Sequence, residues 1–341
     1  MATPRPSQEP LSIVTVVMNR SHHLRHSAPL VARWPRHAEH LILDWSSRVP
    51  VTAADLPDDP RIRLVRVEGE QEWSPGRSFN LAFALARHPL LLRLDGDSWP
   101  TDPQLELPPL AAGHYRRLPI GGGLTGLLLI HREDLWAVGG FNERLSGYGF
   151  EDKDLDRRLA DRFACELLPE GSFATLPHDH RDRSAAFALG GSPAWALHQA
   201  RALMEESKAR NRVIAEYESW SAQQPRLRYG PLPSAPRGDS PPSREVLQRL
   251  PGQRAAIPGP LQERLETAGT GAYLEAMFWI PQEQIQSRIP PPLQQRLRRS
   301  LRLQRLHHSL FVPLVLGLIG LLHRLLRWQE RLQKLARRRN R

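Results

Sequence analysis

The chain has 341 residues, of which 40% are hydrophobic and 24% charged, enough to bury one large core or two small ones and too apolar for a disordered chain. Its single cysteine, Cys165, excludes an internal disulfide and a cysteine-built zinc site, so a disulfide-stapled secreted fold is out and a reducing, cytoplasmic setting is expected. The formal charge of +11 is unevenly placed: residues 1–222 hold 26 basic and 29 acidic residues, whereas residues 287–341 hold 14 basic residues and one acid, Glu330. A near-neutral body with a basic tail points to a polyanion or an anionic membrane surface as the tail's partner.

The first ten residues are polar and proline-bearing, without the apolar stretch of a signal peptide. Leu11–Met18 is a continuous β-branched and apolar run, the pattern of a strand buried on both faces. Residues 20–33 read as a helix, 39–44 and 62–67 as further short strands, 76–87 as a helix and 89–94 (PLLLRL) as another buried strand. Strands alternating with helices predict an α/β fold with a mainly parallel sheet. Beyond it, 124–130 reads as a strand, 132–138 as a short helix stopped by Gly139-Gly140, 151–163 as a helix with acids first and bases later, and 193–220 as a long helix. Thirteen of the 32 prolines fall in 223–292, which reads mostly as linker with helices at 243–250 and 260–279. From 293 to 341 the chain is rich in Leu, Arg and Gln and helical. Its charge-free block Leu310–Leu322 is 13 residues long, short of the about 20 that a spanning helix needs, and contains Pro313, Gly317 and Gly320. An interfacial or re-entrant segment is expected there.

Three clusters could carry chemistry. Asp95-Gly96-Asp97 closes the PLLLRL strand, where open α/β sheets bind ligands; hard carboxylate oxygens suit Mn²⁺ or Mg²⁺ held together with substrate phosphates, although D-x-D also occurs in ordinary surface turns. Gly147-Tyr148-Gly149-Phe150-Glu151-Asp152 leads two glycines and two aromatics into an acidic helix start. This suits either a plain helix cap or a sugar-facing turn with a carboxylate general base. His178-Asp179-His180 could ligate metal or form a polar surface loop. Cys165, in FACELL, reads as a core residue, and the pairs His22-His23 and His307-His308 read as surface. No Walker A, G-x-S-x-G or C-x-x-C motif occurs, and the run Gly121–Gly123 lacks dinucleotide-site spacing.

In this order, the pieces resemble a GT-A fold glycosyltransferase of the family-2 type with a galactosyltransferase-like C-terminal region. The resemblance rests on Ser12–Arg20, Asp44-Trp45-Ser46-Ser47, the G-R-S-F-N of Arg77 and Asn80, Asp95-Gly96-Asp97, and the block Gly122–Arg158 containing Gly139-Gly140-Phe141-Asn142-Glu143 and Gly149-Phe150-Glu151-Asp152. It covers roughly residues 11–185.

The fold implied is α/β: a Rossmann-like GT-A domain over 1–222, its mainly parallel sheet flanked by helices, then a Pro-rich linker (223–292) and a basic helical tail (293–341). The implied activity is metal-dependent, inverting transfer of a hexose from a nucleotide sugar, a UDP-sugar, to a glycan or lipid-linked hydroxyl. Asn19, Arg20, Asp44, Ser46, Arg77, Asn80 and Asp95 would hold the donor nucleotide. Asp97, with Asp95 and His178 or His180, would bind Mn²⁺ or Mg²⁺. Asp152 would deprotonate the acceptor and Glu151 would help position it; Gly123, Tyr148, Gly149 and Phe150 would meet acceptor or sugar. The tail would attach to an anionic membrane surface from the cytoplasmic side, its interleaved Arg/Leu pattern fitting a membrane face better than a nucleic acid. A non-catalytic sugar-nucleotide or glycan binder of the same fold, and a nucleic-acid-binding protein, are the alternatives.

Overall fold

The β-branched run predicted at the N-terminus is β1 (Leu11–Val17), buried along its whole length at the centre of a nine-stranded sheet. The structure, a computed structural model, describes residues 9–119, 124, 126–177, 193–232, 245–253 and 257–339. Beside β1 lie β2 (Glu39–Trp45), β3 (Ile62–Glu68) and β4 (Leu90–Arg93), all parallel, with Val17 opposite Asp44, Trp45 opposite Val67 and Val14 opposite Arg93. That register ends the four strands at one edge. A second, two-stranded sheet pairs β5 (Ser98–Pro100) with β9 (Phe173–Thr175). The main sheet continues past β4 through β7 (Leu128–His131), antiparallel, and β6 (His114–Arg117) to β8 (Ala164–Leu167). On its other side it ends in β11 (Glu245–Arg249) and β10 (Tyr229–Pro231).

Alternation along the pleat divides the core between the two faces. Val14, Leu41, Leu43, Val65 and Leu91 pack with Phe79 and Phe83 of α2 (Pro75–Leu85) and with Leu155 and Leu159 of α4 (Glu151–Ala160). Leu11, Ile13, Leu90 and Leu92 pack on the opposite face with Val31 of α1 (Ser21–Ala32), and Val17 and Ile42 with Leu24 of the same helix. Cover on both faces is why these strands read as unbroken apolar runs. The large, mainly parallel sheet flanked by helices is therefore the architecture expected.

Several local expectations are corrected. The strand expected over 124–130 is confined to β7, because the chain turns at Gly126, before the strand begins; the short helix behind it is α3 (Arg132–Ala137). The helix expected at 243–250 is strand β11, which pairs in parallel with β3, so a stretch of the presumed linker extends the main sheet. Cys165, read as core, lies exposed on edge strand β8. His23, read as surface, is buried, whereas its neighbour His22 is exposed.

The chain forms two compact units, Met1–Ala188 with Ser207–Ala268, and Leu189–Glu206 with Gly269–Arg341. The long helix α5 (Pro193–Tyr217) and helix α6 (Gln262–Phe278) contribute to both. The second unit adds α7 (Gln282–Arg288), α8 (Pro291–Arg299) and α9 (Leu301–Arg339), and its core gathers Trp195, Tyr273, Leu274, Met277 and Ile285. Within it, Tyr273 donates to Gln304 Oε1 at 2.9 Å, and Arg298 lies 3.8 Å above the Tyr273 ring while pairing with Glu206 at 2.6 Å. Beyond that contact α9 exposes Leu310, Leu314, Leu318, Leu321, Leu325 and Trp328, an apolar stripe at three- and four-residue spacing. Among the described residues no helix is long and apolar enough to cross a membrane.

Candidate active site

The common edge of the parallel strands gathers the loops that bear the candidate donor-site residues. After β1, Asn19 takes a left-handed conformation and locks onto the loop after β2: its N–H donates to Ser47 Oγ at 2.8 Å, and Arg48 N–H donates to its Oδ1 at 2.8 Å. Ser46, also left-handed, donates from Oγ to Val67 O and accepts from Glu70 N–H, tying in the loop after β3. Arg20 and Ser46 are half-buried beside Asn19.

The third loop is Asp95-Gly96-Asp97. Only glycine fits between the acids, since a Cβ at Gly96 would lie 2.5 Å from Val17 Cγ1. Ser27 Oγ donates to Gly96 O at 2.6 Å, and Leu176 N–H donates to Asp97 O at 2.9 Å, so strand β9 is pinned against the loop. The Asp97 side chain is mostly buried; it accepts from Ser98 Oγ at 3.0 Å and stands 3.9 Å from Nδ1 of the buried His23. His23 is thus a neighbour of the acidic loop that the sequence reading missed.

The glycine-aromatic turn is braced from α5. Tyr148 N–H donates to Ser207 Oγ at 2.8 Å, Asn211 Nδ2 donates to Ser146 O and Gly149 O, and Lys208 Nζ sits 5.4 Å from the Tyr148 ring centroid. Ser207 and Asn211 carry no motif, only the placement that the fold gives them. Phe150, the residue before α4, has φ +77°, a left-handed conformation that costs a bulky residue roughly 1–2 kcal/mol. The packed turn holds it there and delivers Glu151 and Asp152 to the site.

Asp152 meets the acidic loop through a residue the motifs did not mark. Arg93, the last residue of β4, pairs through Nη1 with Asp152 Oδ1, and its Nη2 is 3.5 Å from Asp95 Oδ1. Asp95 and Asp152 keep 39% and 31% of their side chains exposed, against 7% for Arg93, so the carboxylates face outward over a guanidinium floor. Burial alone would lower the Arg93 pKa, but Asp152 and Asp95 more than reverse this and keep it charged. Burial and then the Asp152 charge push Glu151 up to about 7. Burial raises the Asp152 pKa as well, with Arg93 opposing.

Two expected donor contacts face inward instead. Asp44 is wholly buried; it accepts from Ser47 N–H and Val51 N–H and pairs with Arg66 at 2.6 Å, so its oxygens shape the loop rather than present to a nucleotide. Asn80, also buried, accepts from Phe141 N–H and donates to Phe141 O and Glu143 Oε1, holding the Gly-Gly-Phe-Asn-Glu turn. Arg77 lies against the same turn, donating to Glu143 O at 3.3 Å. Gly123, His178 and His180 lie outside the described residues. Among the described residues no three metal-ligating side chains cluster, and the two acids of the D-x-D loop are a hard-oxygen donor set that fits Mn²⁺ or Mg²⁺.

Residues 112–179, about a fifth of the chain, match a family model described as the N-terminal domain of galactosyltransferase. The match falls on the block that carries the resemblance, from β6 through the glycine-aromatic turn and α4. A search of curated proteins found no match. Among solved structures the chain is similar to the catalytic domain of a Drosophila beta1,4-galactosyltransferase 7 in complex with xylobiose, at 12% identity and a TM-score of 0.43, covering 71% of this chain and 92% of that one. A D211N mutant of the Drosophila enzyme, in complex with manganese, UDP-Gal and xylobiose, gives 12% identity and a TM-score of 0.45 over the same shares. A mannosyltransferase from Pyrobaculum calidifontis in complex with GDP-Man and Mn²⁺ gives 12% identity and a TM-score of 0.40, over 87% of this chain and 81% of that one.

Proposed function

We propose that the chain is a metal-dependent, inverting glycosyltransferase that moves a hexose from a nucleotide sugar, a UDP-sugar, to a hydroxyl of a glycan or lipid-linked acceptor. The observation that carries this reading is the meeting of Asp95, from the D-x-D loop, and Asp152, from the helix start, over Arg93, at the edge where Asn19, Arg20 and Ser46 leave the sheet. Asp95 and Asp97 would hold the divalent cation. When bound, it supplies positive charge to the leaving diphosphate. Asp152 takes the proton from the acceptor hydroxyl as the acceptor oxygen bonds to the anomeric carbon and the bond from that carbon to the diphosphate breaks. Tyr148 and Phe150 offer ring faces to a sugar, and Glu151, half-buried beside Asp152, orients the acceptor. The test is a panel of UDP- and GDP-hexoses with simple glycosides as acceptors, with and without Mn²⁺, reading released nucleoside diphosphate. No release from any donor overturns the reading.

Removing an oxygen ligand beside a diphosphate abolishes metal-dependent donor binding. Asp97→Ala is therefore expected to bind the donor equally weakly with and without Mn²⁺ in titration calorimetry. The wild-type Mn²⁺ response persisting in the variant would remove Asp97 from the metal site.

The tail belongs to the same reading, through an anionic membrane surface that brings the chain to a surface or lipid-linked acceptor. On α9 the apolar stripe is accompanied by exposed Arg302, Arg305, Arg324 and Arg327. Each basic residue near an anionic bilayer adds about 1 kcal/mol to apolar burial. A cut at residue 222 would strip β10 and β11 from the main sheet, so the comparison uses a chain ending at Ser309, which keeps the Tyr273–Gln304 bond. The full chain is expected to co-sediment with phosphatidylserine vesicles at low salt and the shortened chain to stay in the supernatant. Equal sedimentation of the two removes the membrane role of α9.

A further inference from the structure

A guanidinium at the end of a buried apolar strand needs an explanation, because a charge there is costly unless it is paired. Residues 90–92 of β4 are leucines, and Arg93 continues the face on which Leu91 meets Phe79 and Phe141. Four other segments converge on it. Phe79 of α2 lies beneath the guanidinium at 4.2 Å from Cζ to the ring centroid, and Phe141 of the Gly-Gly-Phe turn at 5.2 Å. Asp152 comes from α4. The turn at Gly126 closes over it so tightly that a Cβ there would lie 2.7 Å from Arg93 Nη2 and 3.1 Å from Asp95 Oδ2.

The two rings fix the plane of the guanidinium and the two carboxylates take its ends. Resting on the glycosyltransferase reading, we infer that Arg93 is the positioning residue of this site: its fork joins Asp95 to Asp152 and sets the spacing between the donor-side acid and the acceptor-side base. Arg93 touches neither substrate. It holds Asp152 by Oδ1, which leaves Oδ2 to take the acceptor's proton. Gly126 belongs to the same device, since its missing side chain leaves room for the fork. Lysine would keep the charge yet could not hold both carboxylates in one plane.

The experiment compares wild type, Arg93→Lys and Arg93→Ala on whichever nucleotide sugar the wild type consumes in the panel, with Mn²⁺ present. A base displaced by about 1 Å costs on the order of 10²-fold in rate. The expected result is kcat down by that order in both variants with donor KM within a few-fold, and partial recovery of Arg93→Ala by guanidinium chloride at concentrations where sodium chloride has no effect. Arg93→Lys running at the wild-type kcat overturns the assignment. So does a loss confined to Arg93→Ala that guanidinium does not restore, since that marks a purely structural ion pair. If Arg93→Ala does not fold, Arg93→Lys decides alone by the same kcat criterion. A wild type that consumes no donor overturns the glycosyltransferase reading itself, an outcome distinct from a working wild type matched by Arg93→Lys.

Discussion

Replacing Asp152 with asparagine is expected to lower sugar transfer by about 10²–10⁴-fold while donor binding survives. Asparagine keeps the size of the side chain and an oxygen for Arg93, but it cannot accept the acceptor's proton. The choice of Asp152 over its neighbour follows from their surroundings. A base must be ionised before it acts; burial raises the Asp152 pKa, and the paired guanidinium of Arg93 opposes that rise directly. Among the described residues Glu151 has no such partner at hydrogen-bonding distance: its Oε2 is buried without one, and its pKa is pushed up to about 7, so near neutrality much of it carries a proton. Glu151→Gln is therefore expected to cost less than Asp152→Asn. Initial rates with saturating donor, alongside calorimetric donor affinity, separate the two. Asp152→Asn turning over at the wild-type rate would leave Asp152 as a helix-start residue and move the role of base to Glu151.

The strands of the parallel half were readable because burial on both faces writes itself into the chain as runs such as LSIVTVV and EHLILDW. Strands β6 and β11 were not. β6 reads HYRR, and its place in the sheet depends on Tyr115 packing inward beside β7 and β8, a long-range pairing with no local signature. β11 carries the plain spelling EVLQR and is a strand only because the edge of β3 lies beside it. At the site, the acids were visible as motifs, since D-x-D and E-D have fixed short spacings. Arg93 was not, because its meaning lies in a partner 59 residues away. Asn80 and Asp44 were legible as special residues but not as inward-facing ones: a side chain that holds a turn and one that meets a ligand look alike until burial is known.

The largest stability effect is expected in the last turn of α4. Arg158 is buried, donating through Nη1 to Val138 O and Gly140 O at 2.7 Å each, and through Nε and Nη2 to Asp154 Oδ2 at 3.0 and 2.7 Å. It thereby closes the end of α3, holds the Gly-Gly turn and anchors the helix that presents Glu151 and Asp152. Arg158→Met keeps the volume and removes every one of those bonds, leaving the Asp154 carboxylate buried with Arg157, at 3.5 Å, as its only cation among the described residues. Breaking a buried pair from one side costs about 3–5 kcal/mol, because the remaining charge is uncompensated. A domain of this size would lose roughly 10 °C of melting temperature for that amount. Asp154→Leu combined with Arg158→Met removes the stranded charge as well, so the double variant is expected to recover part of the loss. It would not recover all of it, since the Val138 and Gly140 carbonyls still lack their donor. Urea unfolding of the wild type, both single variants and the double completes the cycle. A double variant no more stable than Arg158→Met alone would show that the two carbonyl bonds, rather than the ion pair, hold α4 against the turn.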